Sequence, residues 1–410
     1  MKPLLKHMMQ LFLLWLILYC LGMSILYHKN GNRDSILMLY QKGNPINGAQ
    51  ALKMLEREEE EAEAGETGID FTVWGIQNKT ELKTEELGRE ANGTAYFIAG
   101  DVSLLFRHDG FLLREDTQGC LLSKDLAYKL FGSVDVVGLS LTAGGQRLTV
   151  RGILQEAEGA IVINAGEDTE KIMDAVTIRI PEGVLASSII HSFQNRHGFG
   201  TDAALPGIVK DMANLVVMLL PVCMGSCLFI PWCKALHRNR QMGGSISKFL
   251  FYPCLLGGIC FLLLYAYIAE ISVQIPQDYL PTNWSDFNFW SNLTKEKKNE
   301  LLTLFTIEKR EPERILMDSF LQTVKYSVLT LVIYITFIKH MAIKTAANLY
   351  AYVFSSICFT YGIILMEKEY AGILAGDKRM WLLLPVCLAG GYILNVINRA
   401  CWQQRLSRAG

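Results

Sequence analysis

Few residues of this chain have the types and spacing that chemistry needs. Cys223, Cys227 and Cys233 have a spacing that soft-metal ligation could use, but no His or carboxylate lies among them. Small thiols are common in buried membrane helices, so neither a metal nor a cofactor is expected there. The run Glu56 to Glu61 concentrates carboxylates. Hard-cation loops space their oxygens around a glycine at a defined turn, which this run lacks, so a solvated face or a disordered charge block is expected instead. H-E-x-x-H, G-x-S-x-G, G-x-x-x-x-G-K-[ST] and paired intramembrane carboxylates are all missing, and no catalytic residue is expected. What remains is a basic cluster of Lys234, Arg238, Arg240 and Lys248 around Gly243-Gly244. Its charge suits anionic lipid headgroups.

The elements that position this cluster are apolar. Of 410 residues, 51% are hydrophobic, more than an average soluble protein carries. Six segments approach the 20 or so residues that a helix needs to cross a bilayer. They are Met8 to Tyr27, Met212 to Trp232, Phe249 to Ile268, Phe320 to Ile338, Ala347 to Met366 and Met380 to Val396. The first reads as a retained anchor, because its core is longer than a signal-peptide h-region and no A-x-A-like site follows. Lys325 has to snorkel towards the end of the fourth, and Pro221 and Pro231 predict a kink in the second. Cys120 alone among the cysteines lies in the long polar stretch, so no disulfide framework is available to it.

Net charge is −1, but the two signs are segregated. With the N-terminus in the cytoplasm, the inner pieces hold Lys2, Lys6, then the basic cluster, then Lys339 and Lys344, then Arg399, Arg405 and Arg408, with no Asp or Glu. Every acidic residue falls outside. This is the positive-inside bias, and it predicts a multi-pass protein of the cell membrane with both termini cytoplasmic. The lipid bilayer is then the first partner, and no nucleic-acid partner is expected.

The expected fold is a membrane protein of about six transmembrane helices, with an α+β extracytoplasmic domain inserted between helices 1 and 2. The anchor takes residues 1–29, the extracytoplasmic domain 30–208, and helices 2 and 3 take 209–272 with a cytoplasmic loop 233–248. A second extracytoplasmic loop takes 273–319, and helices 4 to 6 with a basic tail take 320–410. Within the domain, β-rich runs at Ile69 to Ile76, Thr94 to Ile98 and Leu112 to Arg114 alternate with turn signals at Asn92-Gly93 and Asp109-Gly110. Ser123 is placed to cap a helix Lys124 to Phe131 that Gly132 ends. Strands Val136 to Leu141 and Leu148 to Leu154 follow, joined by a hairpin at Gly144-Gly145, then a further pair, Ala160 to Asn164 and Ala175 to Ile180. Gly144-Gly145-Gln146-Arg147 resembles the signature loop of ABC ATPases, but without a phosphate-cradling loop elsewhere it reads as a turn. In the second loop, Tyr279, Trp284, Phe287, Phe289 and Trp290 suggest an interfacial aromatic belt, and Leu301, Leu302, Leu304, Phe305 and Ile307 an amphipathic, membrane-facing helix.

The run Leu122 to Gly132, then Val137-Gly138, then Gly145 to Leu154 resembles the core extracytoplasmic domain of FtsX/MacB-like ABC transporter permeases. In that family a helix ending Leu-Phe-Gly, here Leu130, Phe131 and Gly132, is followed by a Val-Gly strand at Gly138. A Val-x-Gly strand, here Val150 and Gly152, comes next. The resemblance covers about a third of the chain. It implies a permease-like subunit that couples a separate cytoplasmic ATPase to movement of the extracytoplasmic domain, for export, release or mechanotransmission. It further implies a homodimer or a paired permease subunit, and ATPase contact through Arg238, Arg240, Gly243 and Gly244. The chain departs from the family in having six expected spans rather than four. It also carries Gln241-Met242-Gly243-Gly244 where the family's coupling segment is rich in Glu-Ile-Gly. A non-transporting membrane scaffold or sensor whose ectodomain binds a peptide or cell-envelope protein is the alternative.

Overall fold

The computed structural model of the chain describes residues 2–31, 36–41, 43, 45–65, 68–181, 184, 186–200, 203–205, 208–241, 245–269, 287–306, 309–340, 343 and 345–409. The chain divides into two compact units. One comprises Met1–Gly31, Lys210–Gln274 and Asp318–Gly410, and the other Asn32–Val209 and Ile275–Met317.

In chain order, helix α1 covers Lys2–Gly31 and is followed by strands β1 (Ile36–Tyr40) and β2 (Ile46–Asn47), then helix α2 (Gly48–Glu63). Next come β3 (Phe71–Thr84), β4 (Arg89–Ala99), β5 (His108–Gly110), β6 (Gly119–Ser123) and helix α3 (Lys124–Phe131). Strands β7 (Ser140–Ala143), β8 (Gln146–Leu154), β9 (Ala160–Asn164), β10 (Ile172–Met173) and β11 (Ala175–Arg179) lead to helix α4 (Ala186–His197) and β12 (Ala203–Leu205). The remaining helices are α5 (Ile208–Gln241), α6 (Ser245–Ala269), α7 (Phe287–Thr306), α8 (Glu311–His340), α9 (Ala346–Met366), α10 (Ala371–Ala375) and α11 (Leu384–Ala409).

All six expected apolar segments lie on helices. Among the described residues, five helical stretches are long and apolar enough to cross a membrane: Leu5–Gly31, Met212–His237, Glu311–Lys339, Ala346–Met366 and Arg379–Arg399. In α6 the apolar stretch found is the shorter Leu255–Ala269. The first helix is the most enclosed, with 61% of its apolar window buried against 28% to 33% for the other four. Leu14, Ile17, Leu18 and Leu21 form its core face, sharing a cluster with Met224, Tyr334, Ile363, Met380 and Leu383. Polar pairs fix the register: Ser24 and Ser327 lie 2.7 Å apart, and the Tyr352 hydroxyl donates to Gln10 at 2.7 Å. Helix α5 runs unbroken through Pro221 and Pro231, and the Pro221 carbonyl accepts the Tyr265 hydroxyl. It also runs on to Gln241, so most of the expected cytoplasmic loop 233–248 is helix, with α6 resuming at Ser245. No proline or run of glycines interrupts Cys233 to Gln241, so nothing in the sequence stops the helix at the last apolar residue.

The other unit is built on a ten-stranded sheet of order β12-β1-β11-β3-β4-β9-β6-β8-β5, with β7 paired to both β3 and β8. Through β7 the pairings return on themselves, from β3 to β4, β9, β6, β8, β7 and back to β3. Leu82, Ala95, Leu122, Leu141, Leu148, Val150 and Ile161 fill one core together with Leu126, Ala127 and Leu130 of α3. A second core joins Leu37, Leu39, Val73, Val176 and Ile178 to Ala51 and Leu55 of α2 and to Ile189 and Phe193 of α4. Helix α2 starts in a complete capping box: Asn47 accepts from the Gln50 amide while the Gln50 side chain accepts from the Asn47 amide.

Several expected turns and strands are corrected. Asn92-Gly93 lies inside β4, opposite Glu81 and Thr80, and the chain reverses at Glu85 to Gly88, where Gly88 has φ of 60°. Gly93 is there for close approach, since a Cβ would sit 2.9 Å from Leu126 and 3.1 Å from the Gly159 carbonyl. Asp109-Gly110 lies in β5, paired with β8, and Leu112 to Arg114 is not a strand. Strands β9 and β11 do not pair with each other: β9 lies parallel to β4, and β11 sits between β1 and β3. The Gly144-Gly145 hairpin stands. Both glycines have positive φ, 55° and 85°, and Ala143 pairs with Gln146, the geometry of a two-residue turn. Ser123 precedes α3 as expected, but its hydroxyl donates to Asp125 and accepts the Ala160 amide, so it fastens β9 and not the helix amides.

Candidate functional site

The residues carrying the family resemblance hold backbone together. Leu130 and Val150 are fully buried in one core, with Phe131 packed against it. Gly132 takes φ of 77° to close α3, its amide donating to the Tyr128 carbonyl. Gly138 takes φ of 89°, and its amide donates to Val150 while the Val150 amide donates to Leu139, at 2.8 and 2.9 Å. Gly152 faces Gly110 across β8 and β5, and a Cβ there would lie 1.8 Å from the Asp109 carbonyl. The motif therefore specifies a helix end, a turn and a close strand crossing, and none of its residues offers a reactive group.

Of the basic cluster, Arg238 and Arg240 are placed on the last turns of α5 and Lys234 is exposed. Gly243 and Gly244 lie outside the described residues, as do Tyr279 and Trp284 of the second loop. Among the described residues no group of three His, Cys, Asp or Glu side chains could hold a metal. Cys120 has no exposed surface, and burial, with Asp116 adding, pushes its thiol up to about 12. We expect it to resist maleimide in the folded protein and to react only after denaturation, a contrast read directly by mass shift.

Three charged constellations were not anticipated. The first belongs to the Glu run. Glu56, Glu59 and Glu60 are exposed, but Glu58 lies on the same face of α2 as Ala51 and Leu55 and is buried. Its carboxylate accepts from His197 Nε2 at 2.8 Å, Arg196 at 3.0 Å and the Ile69 amide at 2.8 Å. Burial among Phe71 and Phe193 lowers the His197 pKa below 6.5, although Glu58 pulls the other way. At neutral pH the folded imidazole is therefore neutral, and the unfolded chain binds the extra proton first as pH falls below 6.5. Stability should therefore decline as pH falls through 6.5, and His197→Gln should flatten that slope in denaturant titrations.

In the second, Asp377 has no exposed side-chain surface and holds Lys29 at 3.1 Å and Arg379 at 2.6 Å. Burial disfavours its charge, but the hydrogen bonds and charge of Arg379, with Lys29, win and hold its pKa at about 2. This joins the Gly31 end of α1 to the π-helical turn Arg379–Leu383 that precedes α11. The third is Arg310, whose guanidinium forks onto Asp174 and lies 5.1 and 5.2 Å from the ring centres of Tyr40 and Trp74. The sequence hints at it only through an arginine just before the Glu-Pro-Glu start of a helix.

Compared with protein-family models the sequence gives no match, and compared with curated proteins it gives none. Solved structures do match part of it. One is the periplasmic region of MacB from Actinobacillus actinomycetemcomitans, at 12% identity and a TM-score of 0.32, covering 42% of this chain and 87% of that one. Another is the extracellular domain of the noncanonic ABC-type transporter YknZ from Gram-positive bacteria, at 17% identity and a TM-score of 0.29, covering 41% and 97%.

Proposed function

We propose that this chain is a permease-like membrane subunit of an ABC transporter complex, in which a separate cytoplasmic ATPase drives movement of the extracytoplasmic sheet domain. The observation that carries the reading is the ordered motif Leu130-Phe131-Gly132, Gly138, Val150 and Gly152, met on a sheet unit that follows the first apolar helix in chain order. Charge segregation supports about six spans with both termini cytoplasmic, and in that orientation Arg238 and Arg240 would face an ATPase on the inner side. The family's architecture favours a homodimer or a paired permease subunit. Exposed Phe111 and Leu113 favour the second reading, a scaffold or sensor that binds a peptide or cell-envelope protein on its outer side.

Orientation is tested with Glu86→Cys, in the exposed turn between β3 and β4. Labelling by an impermeant maleimide in intact cells is expected, and labelling only after permeabilisation would invert the topology. For the coupling role, Arg238→Glu with Arg240→Glu should lower ATP turnover of the reconstituted complex roughly tenfold. Unchanged turnover would remove those two residues from the coupling surface.

A further inference from the structure

We propose that Arg310 clasps the start of α8 to the sheet, so that α8 is a third connection, beside the stretches of chain that follow α1 and precede α5, through which membrane movement reaches the sheet domain. This rests on the permease reading above.

Arg310 is the residue before α8, and its amide donates to Glu313 at 2.8 Å, so its backbone belongs to the helix cap. Its side chain reaches the sheet. One guanidinium nitrogen meets each oxygen of Asp174, the two-pronged geometry that a carboxylate accepts only from arginine. Asp174 is itself fixed from both sides: its carbonyl accepts the Gln41 amide, and its amide donates to the Trp74 carbonyl. The cation also lies over Tyr40 and Trp74, of which the tryptophan is fully buried. Glu311 accepts the Glu158 amide at 3.3 Å, and Ile315 and Leu316 pack on the cluster of Trp74, Tyr96 and Phe106. These contacts hold the first two turns of α8 against β1, β3, β4 and the residue before β11, all within one compact unit.

The same helix continues to His340 without glycine and with no proline after Pro312, which sits in the first turn where proline is tolerated. Such a helix carries displacement along its length better than a loop does. An exposed ion pair would be a poor anchor. Here the side chain is only 18% exposed, and charge, fork and aromatic faces converge on it.

The test uses the full chain in lipid nanodiscs, read by hydrogen exchange. Peptides from 311–317 should be protected in the wild type and should exchange roughly tenfold faster in Arg310→Ala and Asp174→Ala. Arg310→Lys, which keeps charge but loses the fork, should fall between, with β9 peptides unchanged as the measure of an intact fold. Unaltered exchange at 311–317 in Arg310→Ala would overturn the clasp. If an ATPase co-purifies, ATP-dependent exchange changes in peptides holding Trp74 and Val176 should vanish in Arg310→Ala while ATP turnover persists. Their persistence would overturn the third connection. If no ATPase is found the permease reading falls, and exchange at 311–317 still decides the clasp.

Discussion

Gly152→Val should destabilise the sheet unit by about 3 kcal/mol, because the new Cβ would have to displace backbone and not merely a flexible side chain. The nearest atom is the Asp109 carbonyl oxygen at 1.8 Å, followed by its carbon at 2.8 Å and Gly110 Cα at 3.0 Å. To make room, β5 must separate from β8, losing ladder hydrogen bonds. For a unit of this size the expected fall in Tm is roughly 6–12 °C, measurable by circular dichroism of the full-length protein in detergent. Gly138→Ala is the informative contrast. Nothing lies within 4 Å of a Cβ there, and only φ of 89° resists it, so a smaller loss of about 1 kcal/mol is expected from backbone strain. Equal effects would mean that close approach is not what position 152 requires.

The second large effect is expected at Asp377. Asp377→Ala removes a carboxylate with no exposed surface and with it the ion pair to the largely buried Arg379. Breaking a buried pair in this way costs about 3–5 kcal/mol. Asp377→Asn, which keeps part of the hydrogen bonding, should cost less. The same site predicts an acid limb. Its pKa is depressed from 3.8 to about 2, so the folded state binds its proton last, and the stabilisation is full above 3.8 and lost as pH falls towards about 2. The depression corresponds to roughly 2 kcal/mol. Thermal unfolding of wild type and Asp377→Asn at about pH 5 and about pH 3 should show the difference between them shrinking in acid. A difference that stays constant would show that the carboxylate charge is not the stabilising feature.

These positions differ in how visible they are in the sequence. The apolar segments, Gly132 at the end of α3 and the Gly144-Gly145 hairpin are legible because each is a local demand: length for a span, positive φ for a cap or turn. Asn92-Gly93 misleads for the same reason. The dipeptide is a good local turn former, but β3 and β4 are long enough to pair straight through it, and Gly93 is required by Leu126 and Gly159, which are distant in sequence. Glu58, Asp377 and Arg310 were invisible as a class. Each acts through partners far along the chain, His197, Lys29 and Asp174 respectively, and no spacing rule links residues so separated. Glu58 was partly recoverable, since it follows Ala51 and Leu55 at helical spacing and so falls on the buried face of α2. Cys120 lies in the polar stretch, where spacing says nothing of its access, and β6, between β8 and β9, buries it.

The measurement that bears most directly on the permease reading is gentle purification of the intact protein from its native membrane, followed by mass spectrometry of what accompanies it. An ATPase subunit present in stoichiometric amount, whose ATP turnover changes when this chain is removed, is the predicted result. A chain that purifies with outer-side partners alone, and with no ATPase at any detergent or salt condition, would contradict the account and leave the scaffold or sensor reading in its place.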